Sequence, residues 1–420
     1  MVIKTQSWIN FFLIILFKIL LEAVYLLYIS KQYAYYGFTL NVNEVKLLES
    51  YFICIIMYFL LNKNEHRPSS IVIIILFLFM MIPTLSLYWL KDESRLYVYF
   101  FSLSFFITSL ITKLPYLKIW KIKNSNKVVI PFIVVLSLSV YYIILYYNGL
   151  PSARALDLLS VYEVRSGFNQ GHWIMGYLIP WQARVLNVFL LCLGFYKKNY
   201  KLVVVALGMQ LILFLMTGHK SFLFIPVLVL GLYFAIRLGS IRKLLAAGLI
   251  LVLSAGLLAY YLFHVHALLS IVIRRVFFVP AQNYFYYYDF FSHNEFVKLS
   301  HSIFGFLFPY PYDMSIPNLI GLEYYNSPGM WVNTGYLADA YMNFGLLGMI
   351  IFSVVLGVVL LFTDSIIKGF KNSLFTAMIV PSYFSLIDGA LFTTLLTGGI
   401  LFSLLLLYLY GNKEKLQRLE

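Results

Sequence analysis

From His264 the chain reads HVHALLSIVIRRVFFVPAQNYFYYYDFFSHNE (264–295), then the Pro- and Gly-rich FGFLFPYPYDMSIPNLIGLEYYNSPGM (304–330), then WVNTGYLADAYMNFG (331–345). His264 to Met342 is the one long polar interruption in a sequence otherwise made of apolar segments. Each of those segments is explained by a bilayer crossing. This one is not, so its surroundings set the fold and function is sought within it.

Of the 420 residues, 62% are apolar and 11% charged, and the mean hydropathy is +0.85. A soluble domain carries about 25% charged residues. Without that polar surface the chain cannot cover itself against water, and lipid must be its solvent. Apolar windows lie at 8–29, 45–61, 70–90, 96–112, 128–147, 181–196, 202–217, 222–236, 244–263, 343–363, 372–387 and 394–410. Each approaches the ~20 residues that a crossing helix needs. Barrel strands would alternate in polarity, whereas these runs are apolar on all sides. The expected fold is all-α, a polytopic integral membrane helix bundle of about 12 transmembrane helices. It forms one membrane-embedded domain over 1–420, with a medium outward-facing loop at about 148–180 and a large one at about 264–342. The first window lacks a small-residue cleavage site and carries Lys18 and Glu22, so it reads as a retained helix. Those two residues, spaced i,i+4, are expected to neutralise each other.

Charge fixes the orientation. With the N-terminus inside, alternate crossings put 19 of the 31 basic residues into roughly 60 residues of inner loops and tail. They include Lys113, Lys118, Lys121, Lys123 and Lys127 in one loop and Lys197, Lys198 and Lys201 in another. Both termini are then expected in the cytoplasm. No inner loop is large enough for a nucleotide-binding domain, and no GxxxxGK[ST] occurs, which argues against ATP coupling. The net charge of +14 lies in short loops and not in a basic soluble domain, so nucleic acid is not an expected partner. Cys54 and Cys192 lie within apolar runs and read as small core residues.

The chemistry-bearing residues are few. In the first outer loop, Arg154 and Arg165 fall on roughly one face of a helix expected over Ala153 to Ser166, with Asp157 and Glu163 available to pair with them. Arg184, just inside the next window, reads as a snorkelling side chain. The turn MTGHKS (216–221) puts His219 and Lys220 at the mouth of two spans. Arg274 and Arg275 suit either lipid headgroups or a diphosphate, whose oxygens the guanidinium fork matches. The aromatic run Tyr284 to Phe291 suits an interfacial belt or stacked sugar rings. Of the large loop's acids, Asp289, Glu295, Asp313, Glu323 and Asp339, the last stands directly before a span. His293 and His301 could exchange protons near neutral pH. No His, Asp or Glu spacing resembles a metal cage, and no Asp-x-Asp pair is present.

This pattern resembles the Wzy-type polymerases of O-antigen and capsule repeat units. The likeness covers most of the chain as architecture. It is sharper in the Arg-bearing outer loop, in TGHKS, and in NTGYLADAYMNFGLLG, which is similar to the family's stretch where a large outer loop re-enters the membrane, with Gly345 and Gly348 in the FGLLG position. Arg165 and Gly176 fit an Arg-x10-Gly spacing seen in some members. The chain departs from related ligases in having Asn333–Thr334 where His–Asn is common, and Gly-His-Lys where a Gly-Ser-Arg-like turn is usual. The resemblance implies a metal-independent, cofactor-free, GT-C-like glycosyltransferase on the outer face of the bacterial inner membrane. It would join polyprenyl-diphosphate-linked oligosaccharides, with membrane lipids and a chain-length regulator protein as partners.

Physical chemistry points the same way. No nucleotide sugar exists outside the cell, so an outer-face transferase needs a pre-activated donor, and a polyprenyl diphosphate is already a good leaving group. The site must supply cations for the developing charge, here Arg165, Lys220, Arg274 and Arg275, with Arg154 and His219 helping to bind. Asp339, backed by Glu323 or a loop histidine, is the expected base for the acceptor hydroxyl. The alternatives are a repeat-unit flippase or other secondary transporter, which would concentrate polar residues within helices, and an O-antigen-ligase-type transferase.

Overall fold

The computed structural model describes residues 2–62, 64–65, 67–120, 122, 126–151, 156–157, 161–301, 305–368, 370 and 373–411, and among them it is helical with no strand. Helices α1 (Trp8–Gln32), α2 (Glu44–Leu60), α3 (Pro68–Leu90) and α4 (Arg95–Ile111) come first. Next are α5 (Lys127–Asn148), the short α6 (Val161–Gly167), α7 (Met175–Tyr196), α8 (Tyr200–Thr217) and α9 (Lys220–Arg237). After α10 (Ile241–Phe263), a π-helical run (Leu268–Phe278) continues into α11 (Val279–His293). The chain ends with α12 (Ile316–Tyr325), α13 (Tyr336–Ile367), α14 (Ser373–Ile387) and α15 (Leu391–Tyr410).

Each of the twelve apolar windows falls on one of these helices. Among the described residues, nine are long and apolar enough to cross a membrane, which marks a multi-pass membrane protein. Helices α2 and α4 have 17 residues each. At 1.5 Å per residue that is about 25 Å, short of a ~30 Å hydrocarbon core. Local sequence sets the boundaries. Asn43 and Asn199 cap α2 and α8 by accepting from Lys46 N and Leu202 N, and Ser94 caps α4 through Tyr97 N.

The chain forms two compact units. The first comprises Met1–Pro115, Ser240–Leu361 and Leu386–Leu391. Here α1 packs along α10, and α2 along the second half of α3. The part of the expected outer loop from the π-helical run through α11 is folded into this core. Phe277 stacks on Phe79 at 5.1 Å and meets Phe17 at 5.7 Å, near the middles of α3 and α1. Tyr284 and Tyr287 are buried and donate their hydroxyls to Ile387 O and Val332 O. Lys18 and Glu22 form the expected buried ion pair. Their further partners are Ser50, Tyr51 and Trp89, the last donating to Glu22 at 2.7 Å. A buried pair keeps its charges only when such groups satisfy the remaining lone pairs.

In α13 the helix breaks at Phe344 and Gly345, with Gly345 at φ 62° and ψ −150°. Only glycine adopts that conformation without strain, and a Cβ there would lie 3.0 Å from the ring of Phe296.

The second unit comprises Tyr116–Gly239, Phe362–Ser385 and Phe392–Glu420. Helix α7 packs on α8, and α9 on α14. Pro226 inside α9 has no N–H, so the carbonyl of Phe222 loses its helical donor. Gln210 of α8 replaces it, donating Nε2 to Phe222 O at 2.7 Å. Gln210 Oε1 accepts from Asn187 Nδ2 at 2.8 Å, and Asn187 Oδ1 accepts from Gln182 Nε2 at 2.6 Å. Gln182 reaches Ser137 Oγ of α5 at 3.1 Å. Polar side chains are therefore not confined to loops: this relay runs inside the helices, where a freed carbonyl must find a protein donor.

Candidate functional site

The second unit gathers cations around the turn Thr217-Gly218-His219-Lys220. Helix α8 stops because Gly218 takes φ +65° and returns its N–H to Phe214 O at 2.8 Å. Gly218 also lies flat on α6. A Cβ on it would fall 2.9 Å from Val161 O and 3.1 Å from the backbone nitrogen and Cβ of Arg165. Val161 and Phe214, with Val164 and Leu215 against them, glue α6 to the end of α8. Glycine at position 218 thus brings the Arg165 helix and the His219 turn into van der Waals contact.

His219 is half-buried and stacked on Phe222, with centroids 5.1 Å apart and planes 15° from parallel. Its Nδ1 lies 2.9 Å from Thr217 O, so that nitrogen carries the proton and Nε2 keeps its lone pair. Burial lowers the imidazole's pKa below the ordinary 6.5, and the positive charges of Arg165 and Arg184 push it the same way, against the Thr217 hydrogen bond. The turn thus carries an imidazole that resists protonation and feels the charge of two guanidinium groups, followed at once by Lys220 at the first turn of α9. Arg165 is exposed. Arg184, which reads in sequence as a snorkelling side chain, lies near enough for its charge to act on His219. Its position in the π-helical turn Gln182–Leu186 gives no sequence signal for that. Arg154 lies outside the described residues, and the helix expected over 153–166 is described from Val161 to Gly167.

The candidates in the first unit are dispersed. Arg274 turns inward, its guanidinium 4.2 Å from the ring centre of Tyr33 and 5.8 Å from that of Tyr36. Arg275, the next residue, is exposed. Consecutive helical residues do not face each other, so the two do not form one anion clamp. Glu323 is exposed on α12. Asp339 is 1% exposed, which decides its local role. One carboxylate oxygen accepts from Leu391 N at 3.1 Å and the other from Asn343 Nδ2 at 3.2 Å, while Asn343 Oδ1 accepts from Leu299 N at 2.7 Å. The carboxylate ties the first N–H of α15 and the 297–299 turn to α13. Glu323 and the loop histidines make none of these contacts.

The aromatic run is partly a surface. Tyr286 stacks on Tyr324 at 4.3 Å, and Tyr324 donates to Asp289 at 2.6 Å. Beside it Glu93 is half-buried, and the loss of water around it raises its pKa even against the ion pair it makes with Lys91 at 3.0 Å. Among the described residues, no three His, Cys, Asp or Glu side chains converge as metal ligands would.

No protein-family model, curated protein or solved structure matches this chain.

Proposed function

We propose that the chain is a membrane-embedded glycosyltransferase that polymerises polyprenyl-diphosphate-linked oligosaccharide repeat units on the outer face of the bacterial inner membrane. The observation that carries this reading is the packing of the Gly218 turn on α6, which sets the Arg165 backbone against the turn that bears His219 and Lys220, where the charges of Arg165 and Arg184 both act on His219. Two phosphates linked to lipid need that kind of site: guanidinium groups, a third cation, and a group able to change its proton count.

In the proposed reaction the acceptor hydroxyl oxygen attacks the anomeric carbon of the donor sugar. The bond from that carbon to the diphosphate oxygen breaks, and its electron pair leaves with the diphosphate. Arg165, Arg184 and Lys220 stabilise that charge as it develops. The hydroxyl proton passes to Nε2 of His219, and the resulting imidazolium adds a positive charge beside the leaving group. Asp339, enclosed and doubly hydrogen-bonded, serves as a positioning residue for the start of α15. Arg275, exposed on the π-helical run, is left to meet lipid headgroups or the diphosphate of a second substrate.

Arg165→Ala, Lys220→Ala and Arg275→Ala are each expected to lower long-chain glycan by about 100-fold or more at unchanged protein level. Long-chain glycan in all three variants would sink the assignment. The buried relay through Gln182, Asn187 and Gln210 is the observation that favours a repeat-unit flippase instead. A deletion strain separates the readings. Single units on the lipid anchor outside indicate a polymerase, long unattached chains a ligase, and no outward-facing units a flippase.

A further inference from the structure

A cavity of about 260 Å³ lies against α6, walled by Asn148, Glu163, Val164, Phe168, Leu215 and Met216. Met216 immediately precedes the cation-bearing turn, and Glu163 stands two residues before Arg165. The cavity and the cluster therefore share both α6 and the end of α8. Drug-sized ligands take about 300–1,000 Å³, so this is room for one ring and not for an extended chain.

Its chemistry is divided. Val164, Phe168, Leu215 and Met216 supply an apolar wall. Asn148 is spent on the protein: its Nδ2 donates to Ile144 O at 3.1 Å and Asn169 O at 2.8 Å, and its Oδ1 accepts from Asn169 N at 2.7 Å. Glu163 is exposed, and its carboxylate makes no ion pair or hydrogen bond among the described residues. An ionised carboxylate only accepts, so it calls for hydroxyl or amine donors. A hydrocarbon tail would leave that charge against an apolar neighbour, which is costly. A pyranose ring has what both walls need, an apolar C–H face and a rim of hydroxyl donors.

We infer that this cavity holds the sugar ring joined directly to the donor's diphosphate, with its face on Phe168 and its hydroxyls on Glu163. This rests on the glycosyltransferase reading, because it takes Arg165, Arg184 and His219 as the diphosphate site next door.

The test uses the purified full chain and two probes: inorganic pyrophosphate, and the saccharide released by mild acid from lipid-linked repeat units of a strain lacking the protein. Binding is followed by saturation-transfer NMR and calorimetry. Glu163→Gln and Phe168→Ala are each expected to weaken saccharide binding by about tenfold or more while leaving pyrophosphate within about twofold, and Arg165→Ala to do the reverse. Glu163 is exposed and Gln is nearly isosteric, so that variant keeps the fold testable. Saccharide binding unchanged in both variants, or absent where wild type binds pyrophosphate, overturns the cavity's assignment and leaves the diphosphate reading standing. Saccharide binding sensitive to Glu163, with no pyrophosphate binding, keeps the cavity and removes the diphosphate reading. Binding of neither probe removes both.

Discussion

His219 is where electrostatics and recognition meet. Burial and two guanidinium neighbours hold its pKa below 6.5 in the free protein, so its ring is neutral at pH 7. A bound diphosphate reverses the sign of the surrounding field and raises that pKa. Between the two values, binding must take up a proton. Calorimetry of pyrophosphate binding at pH 6.5, in two buffers of different ionisation heat, is expected to show more proton uptake in wild type than in His219→Ala, the ligand's own proton exchange being common to both. Equal uptake in both proteins would remove His219 from the site. The folded state also binds fewer protons at His219 than the unfolded chain, so this group subtracts stability as pH falls through 6.5 towards its lowered value. Gly218 has a different constraint. Ala at φ +65° costs about 1–2 kcal/mol, and its Cβ would meet Val161 O at 2.9 Å. Gly218→Ala is expected to lower the unfolding temperature and to separate α6 from the turn, seen as a loss of pyrophosphate binding larger than the loss of stability explains.

Among the elements, α9 depends most on a neighbour. Pro226 removes the donor for Phe222 O, and Gln210 of α8 replaces it. Gln210→Leu leaves that carbonyl unsatisfied and is expected to cost about 1–3 kcal/mol. Pro226→Ala restores an N–H four residues on, so Gln210→Leu combined with Pro226→Ala should recover part of the loss. A double-mutant cycle in detergent that gives strict additivity would show the two are not coupled. The apolar windows revealed helix α9 but not this dependence, because a glutamine in an apolar run looks the same whether it serves a proline-freed carbonyl or a substrate. The segment 268–293 hid its burial in another way. Tyr284, Tyr287 and Asn283 count as polar in a sequence, yet each gives its proton to one carbonyl of the 332–387 region and is then free to be buried. Lys18–Glu22 was legible, since i,i+4 spacing within one helix needs no tertiary information. The contact of Arg165 with Gly218 was not, as it rests on the absence of a side chain at position 218.

At the scale of the whole molecule, the loops of each unit sort into two ends. In the first unit Arg67 binds Thr112 O and Leu114 O, while Arg242 binds Asn62 O at 2.6 Å and approaches Glu65 at 3.8 Å. The loops that follow α2 and α4 and the first turn of α10 therefore meet at one end. Lys46 and Asn43 bind Asp92 at 2.6 and 2.8 Å, and Gln282 binds Tyr36 O at 2.7 Å, which joins the intervening loops to each other. In the second unit Asn148 holds Asn169 beside the Gly218 turn's partner α6, whereas Leu117 N binds Ser365 and Tyr408 binds Trp120 O. Alternate crossings require such sorting, and the basic residues lie mainly at the ends that carry Arg67, Arg242 and Lys118. Those ends are expected to face the cytoplasm. Cys54 and Cys192 are fully buried, out of reach of a water-soluble reagent, so introduced cysteines report on topology against a low background. In spheroplasts, Glu163→Cys and His293→Cys should react with a membrane-impermeant maleimide, and Asn64→Cys and Ser240→Cys only after permeabilisation. If Glu163→Cys were labelled only after permeabilisation, the face of the second unit that carries α6 and the Gly218 turn would be cytoplasmic. The outer-face reading would then fail with the orientation.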